Sequence, residues 1–204
     1  MVSCWKFGEY IVNYYNEHKE LPPYEFKDDE LIINGEIKIP KFIFDILQLT
    51  KKYKSSYRVN DKHIRIAEEF GFIDSQSRRI IPSECGWLIL VITNQLMFRV
   101  YSAGKVLILM HKYQNRSLLQ TSLRIFTALG YAMPEYGKEY RDFDVRSKIK
   151  DMGVKYSEYK YVFDSMKKAK IIRYDTITLE WTPFGYILWH LWNKENQKGG
   201  VVEH

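Results

Sequence analysis

Cysteine is almost missing from this chain of 204 residues, which carries only Cys4 and Cys85. No Cys-x-x-Cys pair and no Cys/His cluster is present, so no structural zinc and no other bound metal is expected. One disulfide could join the two cysteines, but nothing in the sequence requires it. The expectation is two reduced thiols in a cytoplasmic setting. The histidines (His18, His63, His111, His190 and His204) have neither metal-ligand nor triad spacing. A charge-free apolar run is also lacking. The most apolar stretch, Trp87–Met110, holds Asn94, Gln95, Arg99, Gly104 and Lys105, which a bilayer centre would penalise. It reads instead as a buried helix or an oligomer seam, with 87–113 the place where a homodimer would form. The first twenty residues mix Lys6, Glu9, Glu17 and Lys19 into the apolar positions, so no secretory leader is expected. Ser102-Ala103-Gly104-Lys105 lacks the upstream glycine of a phosphate-binding loop. No cofactor and no enzymatic activity are therefore expected.

What is present is charge, unevenly spread. The chain has 31 Lys+Arg against 25 Asp+Glu, a net charge of +6. Residues 1–37 hold three lysines (Lys6, Lys19, Lys27) against Glu9, Glu17, Glu20, Glu25, Asp28, Asp29, Glu30 and Glu36. The remainder is correspondingly basic, which suggests a polarised surface suited to a polyanion. The wealth of tyrosine, isoleucine and lysine is compatible with an archaeal or viral source.

The length allows two small domains, and an internal repeat suggests where they lie. Shifted by 99 residues, Phe72-Ile73 falls on Ile171-Ile172, and Gly86–Leu90 falls on Gly185–Trp189. Each half then reads as helix, apolar pair, polar tip, strand and a glycine-led apolar helix. The expected domains are 1–101 and 102–204.

The second half is the more legible. Ser117–Ala132 has a helical apolar stripe, broken by Gly130 and Pro134. Asp144 is placed to cap a short helix ending at Gly153, and Ser157 to cap the next. In that helix Tyr159, Val162, Phe163 and Met166 share one face. Two helices joined by a short glycine-led turn make a helix-turn-helix, and Ile171–Thr176 with Ile177–Thr182 can form a hairpin. In the first half, Trp5–His18 and Pro40–Tyr53 are expected helices, and Leu31–Ile39 a hairpin with Asn34-Gly35 at its tip.

The segment Asp151–Ile172, with its Gly153-Val154 turn, Lys167-Lys168 pair, Ala169 and Ile171-Ile172, resembles the turn and recognition helix of winged-helix transcriptional regulators. Thr182-Pro183-Phe184-Gly185 resembles that family's step from wing into last helix. Glu68–Ile73 and Ser83–Gly86 resemble the same features in the first half. The resemblance implies a mainly α fold with small β-wings, a tandem winged helix-turn-helix. It implies duplex DNA binding, as a transcriptional regulator or a replication or packaging accessory. Localisation would be nucleoid-associated, or host cytoplasm for a virus. A winged-helix adaptor in a protein complex is the alternative.

The residues expected to meet DNA follow from that reading. In the second half they are Lys155, Tyr156, Ser157, Lys160, Tyr161, Asp164, Lys167, Lys168, Arg173 and Tyr174. In the first they are Lys54, Ser55, Ser56, Tyr57, Arg58, Lys62, Arg65, Arg78 and Arg79. Glu68 and Glu69 would repel phosphate. A third and weaker pattern is Asp28/Asp29 followed by Glu36-Ile37-Lys38, which is similar to the metal site of restriction-endonuclease-like nucleases. Its other reading is a hairpin with charged edges.

Overall fold

A computed structural model describes residues 2–51, 61–76, 79–93, 118–153 and 159–199. The chain divides into two compact units, Met1–Met97 and Phe98–His204. Both mix helices with small antiparallel sheets, an α+β architecture.

The first unit opens with α1 (Cys4–His18), which buries Phe7, Ile11, Val12 and Tyr15 along one face. The helix stops where Lys19 turns left-handed at φ 57° and donates its N–H to the Tyr15 carbonyl. A three-stranded meander follows: β1 (Tyr24–Lys27), β2 (Glu30–Ile33) and β3 (Ile37–Pro40), in that spatial order. The β2–β3 hairpin has its tip at Asn34-Gly35, both at positive φ, as the sequence indicated. Strand β1 was not anticipated. It is joined to β2 by Asp28-Asp29 alone, at φ 51° and 59°. Aspartate is among the few side chains that tolerate this conformation. Helix α2 (Lys41–Lys51) begins one residue after Pro40, which closes β3 rather than opening the helix. Then come α3 (Asp61–Glu69), the hairpin β4 (Ile73–Gln76) and β5 (Arg79–Pro82), and α4 (Glu84–Ile92). Helix α4 is buried from Leu88 to Ile92 and ends at Thr93, so it covers the first part of the apolar stretch Trp87–Met110. Residues 94–117, with most of the expected homodimer seam, lie outside the described set.

The second unit contains α5 (Leu118–Ala132), β6 (Tyr140–Arg141), α6 (Asp142–Asp151), α7 (Tyr159–Lys168), β7 (Ile172–Tyr174), β8 (Thr178–Trp181) and α8 (Pro183–Gly199). Its strands form one sheet in the order β6-β8-β7. Arg141, not Asp144, occupies the N-cap of α6, and Asp142 and Asp144 fall in its first turn. There they still favour the positive end of the helix dipole. The expected cap at Ser157 lies outside the described residues.

The repeat extends to individual hydrogen bonds. In the first unit the Phe72 N–H donates to the Ala67 carbonyl at 2.9 Å, and the Ser83 N–H to the Phe72 carbonyl at 3.1 Å. In the second, Ile171 donates to Met166 at 2.9 Å and Thr182 to Ile171 at 3.2 Å. Every one of these positions is related by the same 99-residue shift. The Ser83 hydroxyl donates to the Gly71 carbonyl and accepts from the Gly86 N–H. Thr182 does the same with Lys170 and Gly185. Strand register matches too: Ile73 opposes Pro82 as Ile172 opposes Trp181. A Cβ on Gly86 would lie 2.3 Å from the Phe72 carbonyl oxygen, and one on Gly185 1.8 Å from that of Ile171. Glycine is needed at both because the helix backbone touches the chain just ahead of the first hairpin strand there.

Each unit then secures this module differently. Cys4 at the start of α1 and Cys85 in α4 are disulfide-bonded, with Cα atoms 5.6 Å apart. This corrects the expectation of two free thiols. The position matching Cys85 in the second unit is Phe184, fully buried, so apolar packing there takes the place of the covalent link.

Candidate nucleic-acid interface

Helix α7 buries Tyr159, Val162, Phe163 and Met166 completely, the stripe expected from the sequence. Burial of four large side chains on one face fixes the rotation of the helix. Tyr161, 41% exposed, and the exposed Lys167 and Lys168 are thereby turned to solvent. Asp164 is half-buried. Ahead of α7, Gly153 ends α6 at φ 82°, and its carbonyl accepts from Arg124 on α5 at 3.4 Å.

An ion pair on α6 braces this arrangement. Arg146 lies 2.7 Å from Asp142, one helical turn earlier, with both side chains largely buried. The guanidinium also donates to the Tyr174 hydroxyl at 2.9 Å and lies over the Phe163 ring at 5.6 Å. One cation thus ties α6 to α7 and β7. Burial, reinforced by the nearby Asp142 carboxylate, pushes the Tyr174 hydroxyl pKa up. The sequence contained the Asp142–Arg146 spacing of four, the one signal that could have found this brace.

Tyr174 is a correction. It was expected to reach DNA from the wing, but only 4% of it is exposed, with its ring packed edge-on against Phe163. Strand alternation explains this, since Arg173 points to the outer face of β7 and Tyr174 to the core. Arg173 is half-exposed and paired across the ladder with Glu180 at 3.2 Å, so its charge is partly neutralised.

The hairpin tip is rigidly built. The Asp175 carboxylate accepts from the N–H groups of Ile177 and Thr178 at 2.9 and 2.7 Å. Those bonds, that to Thr178 foremost, hold its carboxyl pKa below the usual range. Thr176 takes φ 78°, which is strained for a β-branched residue.

In the first unit, Lys62 and Arg65 are exposed on α3. They occupy the positions matching Tyr161 and Asp164. Their neighbour His63 is stacked on Phe42, ring centroids 4.3 Å apart. Glu68 and Glu69 stand where the second unit has Lys167 and Lys168. Of the remaining expected contacts, Lys54, Ser55, Ser56, Tyr57, Arg58, Arg78, Lys155, Tyr156 and Ser157 lie outside the described residues, as do the side chains of Arg79 and Lys160.

The nuclease pattern is not assembled. Asp28 and Asp29 sit at one end of β2 and Glu36 beyond the other, while Lys38 pairs with Glu30 at 3.5 Å. Among the described residues, the metal-competent groups that converge are Cys4, Glu84 and Cys85, and both cysteines are committed to the disulfide. No helix among the described residues is long and apolar enough to cross a membrane. No protein-family model, curated protein or solved structure matches the chain.

Proposed function

We propose that the chain is a tandem winged helix whose second unit binds duplex DNA, in the role of a transcriptional regulator or a replication or packaging accessory. The observation that carries this reading is the order of parts in the second unit. A helix, a short strand, two helices separated by a glycine-led turn, a two-stranded hairpin and a last helix follow in sequence, and the short strand joins the hairpin as β6-β8-β7. In a winged helix the second helix of the pair enters the major groove and the hairpin flanks it. Helix α7 takes that place, with Tyr161, Lys167 and Lys168 outward. Residues 138–173 carry eleven basic and six acidic side chains, an excess that favours phosphate.

The first unit is a diverged copy. Its matching helix ends in Glu68-Glu69, which favours the second reading for that unit, a protein-contact role.

A fluorescence-anisotropy titration of the whole chain with labelled duplex tests the proposal. Affinity should fall as salt rises, with a log–log slope of roughly −0.9 for each phosphate neutralised. Absence of binding at low salt would rule duplex binding out.

A further inference from the structure

Strand β1 is an outer strand of its sheet, and all four of its residues are exposed. Its register fixes where its backbone groups point. Lys27 and Glu30 close the two-residue turn at Asp28-Asp29, and the closing pair of such a hairpin exchanges hydrogen bonds. Bonded pairs recur at every second residue, so Glu25 and Pro23 also face β2. The Asn34 N–H does donate to the Pro23 carbonyl at 2.7 Å. The N–H and C=O groups of Tyr24 and Phe26 therefore point away from the sheet. Among the described residues nothing pairs with them.

Side chains alternate between the faces of the strand. The Phe26 ring lies against Phe44 on α2, centroids 4.8 Å apart, and Tyr24 packs edge-on against Phe26. Glu25 and Lys27 stand on the opposite face. Among the described residues neither has an ion-pair partner.

An open edge is a template for another strand, and this one fits itself. Let two copies of β1 pair antiparallel about a twofold axis through Phe26. Each Phe26 then meets the second copy's Phe26 as a hydrogen-bonded pair, and Glu25 faces the second copy's Lys27, twice by symmetry. Centred one residue to either side, the pairing sets Glu25 against Glu25 or Lys27 against Lys27. Opposite charges across a ladder stabilise it and like charges destabilise it. Centred on Tyr24, the pairing sets Pro22, which has no N–H, against Phe26. Charge and backbone donors thus select the Phe26 register.

The other charges on these elements are paired or distant. Glu30 pairs with Lys38, and Lys41 with Asp45 on α2. Glu36 lies by Tyr10 of α1. Lys19 and Glu20, ahead of the strand, have opposite signs. Asp28 would face the second copy's Tyr24. The two Asp28 residues would stand four strand positions apart, roughly 14 Å, which exceeds the screening length of about 10 Å at 0.1 M salt.

We propose that β1 is a homodimer edge, at which two copies of the chain join their three-stranded sheets through Phe26 and two Glu25–Lys27 pairs. The site is separate from the 87–113 seam and does not rest on duplex binding.

Sedimentation velocity of the full chain without DNA, from micromolar to millimolar concentration, tests it. The wild type should show a reversible monomer–dimer equilibrium. Glu25→Lys and Lys27→Glu each turn two attractions into repulsions, and each should weaken the dimer about tenfold. Their Tm should be unchanged, since both side chains are exposed. An equimolar mixture of the two variants should recover the dimer, and so should the double swap Glu25→Lys/Lys27→Glu. Recovery in the double swap requires that Glu25 face Lys27. A wild type that stays monomeric throughout would overturn the proposal. So would a dimer indifferent to both single variants, which would place the interface elsewhere, 87–113 included, or a dimer that the double swap does not recover.

Discussion

The two units share one module and close it in two ways. From α3 to α4, and from α7 to α8, the hairpin register and its exit bonds agree position for position. Before that module they diverge. The first unit spends residues 24–40 on a meander that forms its own sheet, while the second uses Tyr140 and Arg141 alone, paired to the wing strand. The first unit is stapled by Cys4–Cys85, and the second is braced by Arg146 and packed around Phe184. The conserved part is the backbone-to-backbone approach at Gly86 and Gly185. What holds the helices around it can be exchanged.

The largest expected effect breaks the comparison on the first unit alone. The disulfide closes a sequence separation of 81, so Cys4→Ser/Cys85→Ser should cost about 4 kcal/mol. Hydrogen exchange should show lost protection in residues 1–93 and unchanged protection in 118–199. Equal loss in both units would mean that they do not fold independently.

Gly86→Ala and Gly185→Ala should be severe in parallel, each costing its own unit more than about 3 kcal/mol through overpacking. A mild effect at either glycine would remove the shared contact from the account.

Arg146→Met tests the second unit's own brace. It strands a largely buried Asp142 and frees the Tyr174 hydroxyl, at a cost of about 2 kcal/mol. Asp142→Asn/Arg146→Met should recover part of it in urea denaturation; no recovery would show that the pair does not act as one.

The smallest effect is on pH dependence. The folded-state pKa of Asp175 is depressed by the Thr178 and Ile177 N–H groups. Its stabilisation is present above the unfolded carboxylate pKa and is lost as pH falls through the folded one. Asp175→Asn should therefore lower stability at neutral pH and flatten the acid limb of the stability curve. An unchanged acid limb would show that the tip bonds do not couple to folding.

How much of this could be read beforehand varied with the kind of signal. The 99-residue repeat was visible because glycine and aliphatic pairs mark backbone contacts. The face of α7 was visible because four large apolar residues fall at helical spacing. Strand β1 was hidden, since Asp28-Asp29 makes a tight turn without the glycine that usually announces one. Strand β6 is two residues long and has no period to detect. The disulfide pairs residues 81 apart, and nothing local to either cysteine points to the other. Tyr174 was misplaced because alternation along a three-residue strand depends on where the strand begins. Among the candidate contacts, Tyr161, Lys167 and Lys168 emerge exposed, whereas the turn residues ahead of α7 are not described.

The proposal that the second unit binds duplex DNA and the first does not is tested most directly at the matched helix ends. Lys167→Glu/Lys168→Glu gives α7 the charges that α3 carries, and Glu68→Lys/Glu69→Lys does the reverse. In a duplex titration at low salt, the first change should weaken binding at least tenfold and flatten the salt slope, and the second should leave affinity equal or higher. Binding that is indifferent to Lys167 and Lys168 but responds to Glu68 and Glu69 would contradict the account and move the DNA surface to the first unit.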